Sequence, residues 1–162
     1  MKSLLVIRHA KSEQGLLLND FDRPLNERGK RDAPAMAKKI LTHGAKPQLI
    51  VSSPAKRAKK TAEYFFKELK LHDDAFILKS ELYHAHPQIF FDVAAQLDDQ
   101  FDHAALFSHN PGITYFVNML TTARLDNMPT CGVFAVKANI TRWKDFAKAT
   151  KEFWFFEFPS KT

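Results

Sequence analysis

Glycine is scarce in this chain, with five in 162 residues. None falls in a Gly-x-Gly-x-x-Gly or phosphate-loop pattern, which argues against a dinucleotide or nucleoside triphosphate site of the glycine-rich kind. Cysteine is scarcer. Cys131 stands alone, so the chain can build neither an internal disulfide nor a zinc cluster, and a disulfide-built secreted domain is disfavoured. Long apolar runs are missing as well. The first, Leu4-Leu5-Val6-Ile7, stops at Arg8, too short for a signal peptide, and nothing approaches the ~20 apolar residues of a membrane span. Without repeats, low-complexity tracts or Pro/Gly/Ser linkers, the expectation is one domain over residues 1–162, soluble and cytoplasmic, with no membrane partner.

What is present points to a packed fold. Apolar residues make up 45% of the chain and phenylalanine alone fills 15 positions, enough for a core at this length. A formal charge of +6 favours an anionic partner, leaving nucleic acid, an acidic protein surface and a phosphorylated substrate open.

Short β-branched runs alternate with longer helical patterns, which predicts an α/β domain with a largely parallel sheet. Strands are expected at 4–7, 48–52, 76–79, 104–108, 132–137 and 152–158. A helix is predicted over 26–43, capped by Asn26, with Gly44 past its end and Ala33, Ala37, Ile40 and Leu41 inside. Pro34 predicts a kink or a separate first turn. Ser53 and Pro54 read as the cap and first residue of a second helix, with Ala58, Ala62, Phe65 and Leu69 facing inward. Further helices are expected to open at Pro87 and near Pro111.

The polar residues matter because of where they fall relative to those strands. Arg8-His9 follows the first, Ser52-Ser53 and Arg57 the second, and His109-Asn110-Pro111-Gly112 the 104–108 strand. Parallel α/β sheets place ligands at the carboxyl ends of their strands, so three strand ends deliver two arginines and two histidines to one edge. Each alone has a bland reading: a strand end meeting solvent, one more charge on a solvated helix, a turn histidine. Together they suit a phosphoryl group. The arginine fork matches phosphate oxygens and stays charged, a helix start favours an anion, and a largely neutral histidine can serve as a nucleophile.

Four segments occur in order: Arg8-His9-Ala10; Arg23-Pro24-Leu25-Asn26-Glu27-Arg28-Gly29; Ser52-Ser53-Pro54-Ala55-Lys56-Arg57-Ala58; and Ser108-His109-Asn110-Pro111. In this the sequence resembles the histidine phosphatase, or phosphoglycerate mutase-like, superfamily, from about residue 3 to residue 120. The short length, Ala10 in place of the usual glycine and the Asp22-Arg23-Pro24-Leu25 element look most like its SixA-type phosphohistidine phosphatase branch. The resemblance implies a three-layer α/β/α sandwich with a mainly parallel sheet, no metal and no other cofactor. It implies His9 as the nucleophile, Arg8 and Arg57 as phosphoryl clamps, His109 as the second pocket histidine and Arg23 as an additional arginine on the phosphate. Larger members carry a glutamate after the third strand, which would make Glu81 the general acid. The alternative for Glu81 is a surface residue paired with a lysine.

Other features read as ordinary. His84 and His86 lack a third metal ligand and read as loop residues at a substrate rim. His43, His72 and His103 read as element ends. Lys56 to Lys60 lack interleaved aromatics, which argues against nucleic acid, and Phe153-Trp154-Phe155-Phe156 reads as a buried strand. The expected activity is dephosphorylation of phosphohistidine on a protein. The alternatives are a phosphatase of small phosphate esters and a phosphate-binding module that has lost its chemistry.

Overall fold

In the computed structural model, which describes residues 1–15 and 17–160, the central strand is β1 (Lys2–Arg8), buried along nearly its whole length. It pairs in parallel with β4 (His103–Ser108) on one side and antiparallel with β5 (Val133–Ala138) on the other. With β2 (Leu49–Ser52), β3 (Phe76–Leu78) and β6 (Lys151–Glu157), the sheet runs in the order β3-β2-β4-β1-β5-β6. The first four strands of that order are parallel.

Because side chains alternate along a strand, β1 feeds two cores. Leu4 and Val6 join a cluster with α3 (Pro87–Ala95) and α4 (Gly112–Val117), while Leu5 and Ile7 join one with α1 (Glu27–Leu41) and α2 (Lys56–Glu68). Helices thus cover both faces, giving the expected three layers. Among the described residues, no helix is long and apolar enough to cross a membrane.

Local details follow the side chains. The Asn26 side chain caps α1 by accepting from Gly29 N–H at 2.9 Å, and Gly44 lies just past the helix with φ +77°. Pro34 does not split α1 into two, since the helix runs unbroken from Glu27 to Leu41. Leu41 is 38% exposed, and the inner face is completed by Met36 instead.

The expected start of α2 is corrected as well. Ser53 does not cap it: the helix begins at Lys56, with Ala55 at the cap and no side-chain cap bond. The Ser53 hydroxyl is engaged elsewhere, with His109. The aromatic run near the C-terminus is also less buried than expected. Of Phe153 to Phe156 only Phe155 falls in the core, and Phe153 is 44% exposed, because β6 is the edge of the sheet and shows one face to solvent.

One close approach positions the loop after β1. Gly29, in the first turn of α1, lies against the Lys11 backbone, where an added Cβ would overlap the Lys11 carbonyl. That carbonyl also accepts from Asn26 N–H at 3.0 Å. Gly29→Ala is therefore expected to lower stability by about 1–3 kcal/mol and to displace the segment following His9. Denaturant unfolding checks the first effect and turnover the second; wild-type values for both would show that the loop yields freely.

Candidate active site

The carboxyl ends of β1, β2 and β4 converge as the parallel pairing requires. His9 N–H donates to the Ser108 carbonyl at 3.2 Å and Ser53 N–H to the Phe107 carbonyl at 3.0 Å. These contacts place His9, Ser53 and His109 at one edge. Around them lies a cleft of about 430 Å³ lined by Arg8, His9, Arg23, Arg57 and His109, with Asp20 and Tyr83 at its side. A larger cleft of about 700 Å³ lies near the amino ends of β2 and β4, among Gln48, His72 and His103. It holds no arginine and none of the motif residues.

His9 is 6% exposed, and both ring nitrogens are assigned by their partners. Nδ1 lies 2.8 Å from the Ala10 carbonyl, which can only accept, so Nδ1 carries the hydrogen. Nε2 therefore presents a lone pair, and Arg57 Nε donates to it at 3.3 Å. Burial, with the charges of Arg57, Arg8 and Arg23 added, lowers the His9 pKa to about 3, against a smaller raising effect of the Ala10 carbonyl. The ring is a neutral base at physiological pH.

Ala10 is itself pinned. Its N–H donates to Thr61 Oγ1 at 2.9 Å, and that hydroxyl donates to the Arg57 carbonyl at 2.8 Å. One buried threonine on α2 thereby couples the histidine loop to the helix turn that carries Arg57. Cys131 N–H donates to the His9 carbonyl at 3.0 Å, fixing the other side.

His109, also 6% exposed, stands 5.2 Å from His9 between ring centroids. Its Nε2 is 2.7 Å from Ser53 Oγ. That oxygen accepts from Ala55 N–H, and among the described residues its own hydrogen has Nε2 as its acceptor, which leaves the ring hydrogen of neutral His109 on Nδ1. Nδ1 is buried and makes no hydrogen bond among the described residues, and the same holds for Arg8 Nε. Arg8 is held by donating from Nη1 to the Met128 carbonyl at 2.8 Å. Burial, then His9 and Arg57, lowers the His109 pKa to about 2.

Arg23 reaches the same cleft from its loop, with Nη1 donating to Ser12 Oγ at 2.6 Å and to the Glu13 carbonyl at 2.9 Å. The structure thus brings together five of the six residues singled out in the sequence. Glu81 is the exception. It is exposed on a 3-10 turn (Ser80–Leu82), lies outside the cleft lining and makes no ion pair among the described residues. The buried residue of that turn is Leu82, and it is Tyr83 that faces the cleft.

The carboxylate in the cleft is instead Asp20. Its Oδ1 accepts from Arg23 Nε at 3.2 Å and Nη2 at 3.0 Å. Its Oδ2 accepts from Arg57 Nη2 at 3.0 Å and from the Tyr83 hydroxyl at 2.6 Å, and its main-chain carbonyl accepts from Arg57 Nη1 at 2.6 Å. The Tyr83 hydrogen bond, then the two arginines, hold the Asp20 pKa well below the carboxylate range. Asp20 and Tyr83 were not read from the sequence. The Asp20–Arg23 spacing of three was an available signal; for Tyr83 there was only adjacency to Glu81. His84 lines the rim, its ring tilted by 35° against Tyr83 with the centroids 3.9 Å apart. Among the described residues, no group of three or more His, Cys, Asp or Glu side chains is placed to hold a metal ion.

A buried neutral histidine facing an arginine-rich cleft is an arrangement able to bind an oxyanion and attack its central atom. Residues 4–80 match a family model. The match is to the histidine phosphatase superfamily, branch 1. It spans Arg8, His9, Arg23 and Arg57, bears out the resemblance in three of the four motifs, and ends one residue before Glu81 and short of His109. An uncharacterized chloroplastic protein of Arabidopsis thaliana is 28% identical over 160 aligned positions, covering 89% of this chain and 70% of the relative.

Solved structures align along most of the chain. The crystal structure of a candidate phosphohistidine phosphatase SixA from Agrobacterium tumefaciens gives a TM-score of 0.81 at 23% identity, covering 98% of this chain and 99% of the other. The protein histidine phosphatase SixA complexed with tungstate gives 0.80 at 19% identity, covering 96% of each. A mycobacterial glucosyl-3-phosphoglycerate phosphatase with bound VO3 gives 0.68 at 16%, covering 98% of this chain and all of the other. At these identities the likeness is one of fold, and it is the phosphoglycerate mutase-like fold of SixA. Taken with the family match, it supports a phosphatase.

The two depressed histidines make stability depend on pH. Unfolded rings take up a proton near pH 6.5, whereas folded His9 and His109 stay neutral down to about 3 and about 2. Below 6.5 the unfolded chain binds more protons, so stability is full above that pH and is lost as pH falls. Between pH 6.5 and 4.5, His9→Asn or His109→Asn should flatten the slope by about 1.4 kcal/mol per pH unit. Urea midpoints at constant m measure it, and an unchanged slope would mean the rings are protonated in the folded state.

Proposed function

We propose that the protein is a metal-independent phosphatase that transfers the phosphoryl group of a phosphohistidine, carried on a protein, to His9 and then to water. The observation that carries this reading is the state of His9: Nδ1–H tied to Ala10 leaves the Nε2 lone pair facing the arginines. On this reading Arg8, Arg23 and Arg57 bind the phosphoryl oxygens, and His109 donates its Nδ1–H to one of them. Residues 1–162 act as one domain, in the cytoplasm, with no cofactor.

The steps balance without an acid. His9 Nε2 attacks phosphorus in line, the bond from phosphorus to the leaving nitrogen breaks, and its electron pair stays on that nitrogen. Phosphorylated His9 is then a cation whose Nδ1–H remains on the Ala10 carbonyl. Water attacks next, the phosphorus–Nε2 bond breaks and returns its pair to His9, and the proton of water leaves with inorganic phosphate.

The choice between phosphohistidine and small esters turns on the leaving group. An alkoxide must be protonated as it departs, whereas an imidazole need not be. Among the described residues lining the cleft, the one carboxylate is Asp20, and its partners keep it ionised. Glu81 lies outside the cleft. A site furnished this way suits a leaving group that departs unaided, and the likeness to SixA supports the same reading.

His9→Ala should lose at least about 10³-fold in turnover, and wild type quenched in alkaline denaturant should retain phosphate on His9 that is released on acidification. Turnover by the alanine variant would overturn the mechanism. Arg57→Lys should be severely impaired with its charge intact, because one ammonium cannot make the parallel N–H contacts of a guanidinium. A smaller loss is expected for Arg23→Lys, since Arg23 comes from a loop. Glu81→Gln should leave turnover of phosphohistidine and of any alkyl phosphate within about twofold, given its exposure. A loss of about 10²-fold confined to alkyl phosphates would restore Glu81 as the acid.

A further inference from the structure

Asp20 is unusual company for a phosphate site. A carboxylate beside the phosphoryl position repels the substrate dianion, and this one is half exposed, not trapped by burial. Its oxygens have about four acceptor positions, and all are taken: two by Arg23, one by Arg57 and one by Tyr83. The remaining charged groups lining the cleft, Arg8 and Lys11, add only positive charge. Asp20 is therefore the sole anionic group of the cleft lining among the described residues, and it is balanced by the guanidiniums of Arg57 and Arg23.

Resting on the phosphatase reading above, a bound phosphoryl dianion must recruit those guanidiniums. Asp20 then keeps Tyr83 but loses much of its cationic company. A substrate can restore the balance only by bringing a positive charge of its own, next to phosphorus, where the leaving group sits. We infer that Asp20 is a specificity-determining residue that selects N-phosphoryl substrates with a cationic leaving group, accepting a hydrogen bond from the leaving group's N–H.

For phosphohistidine the chemistry closes. The ring protonated on its distal nitrogen is an imidazolium, and that N–H is what Asp20 receives. As the phosphorus–nitrogen bond breaks, the electron pair stays on the ring, which departs as neutral imidazole with the distal N–H still in place. No proton crosses to the leaving atom. Asp20 acts by holding the ring in its protonated form, the better leaving group, and never gives up a proton itself. Alkyl and aryl phosphates carry no such cation and leave Asp20 uncompensated, while phosphates of carboxylated alcohols are repelled.

The test compares two leaving groups that both depart without an acid and differ in charge: phosphohistidine and p-nitrophenyl phosphate. In Asp20→Asn the ratio of kcat/KM for phosphohistidine over the aryl ester should fall at least about tenfold from its wild-type value. The kcat of phosphohistidine should lose its alkaline side about one pH unit earlier in the variant, with no such displacement for the aryl ester. Vanadate inhibition, measured alongside, reports the arginine clamp itself. A ratio and a pH profile unchanged in the variant, with both substrates and vanadate affected in parallel, would show that Asp20 only props the arginines, and would overturn its selective role while leaving the phosphohistidine reading intact. A wild type that hydrolyses the ester and ignores phosphohistidine would overturn both.

Discussion

The hydrogen bond from His9 Nδ1 to the Ala10 carbonyl is the constraint around which the site is arranged. A histidine can be a nucleophile at Nε2 only if its hydrogen sits on Nδ1, and in a neutral imidazole that choice is set by whatever Nδ1 touches. Here the acceptor is the carbonyl of the next residue in the chain, so the conformation of a single loop decides the tautomer. The loop is correspondingly tied down: Ala10 N–H to Thr61, the His9 carbonyl to Cys131, the Lys11 carbonyl to Asn26, and Gly29 close beneath. α1 and α2 serve this loop as much as they serve the core.

The same pocket sets a problem of charge. Arg8, Arg23 and Arg57 crowd two nearly buried histidines, and such proximity is tolerable only while the rings are neutral. Burial and positive neighbours push both rings that way, so the arginines that would bind an anion also keep His9 unprotonated. Binding chemistry and acid–base chemistry are thus one electrostatic arrangement. Asp20 completes it by giving the guanidiniums a counter-charge and a fixed orientation, and Tyr83, positioned by the Ser108 hydroxyl donating to the Leu82 carbonyl at 2.7 Å, holds Asp20 from the far side.

Much of this was legible in the sequence, and the reason is local. Strand ends, an Asn26 cap and inward-facing stripes are written within a few residues, and parallel topology then places Arg8, His9, Arg57 and His109 together with little further information. What could not be read was set across the fold. Asp20 and Tyr83 meet across 63 positions of chain, Thr61 reaches Ala10 across 51, and Ser53 reaches His109 across 56. Ser53 was read as a helix cap because serine before proline usually is one. Its hydroxyl bonds to His109, and the helix begins without it. Glu81 lies outside the cleft lining for the opposite reason. A 3-10 turn over Ser80–Leu82 cannot send Glu81 and Leu82 to the same side, and the core takes Leu82.

Two polar atoms show what the fold gives up for the site. Arg8 Nε and His109 Nδ1 are buried without a hydrogen-bonding partner among the described residues, a condition that costs about 1–3 kcal/mol per group. Both are donors, both belong to residues at strand ends, and both lie in the wall of one cleft. Orphaned donors in a core would be defects that repacking could remove. Orphaned donors around a histidine whose Nε2 carries a lone pair share a single remedy, an acceptor with several oxygens. On the proposed function, stability surrendered at these atoms would be recovered on binding such an acceptor, most of all a phosphoryl group under attack. On that reading, unpaired donors would favour the transition state over the ground state, because their hydrogen bonds gain most where charge develops.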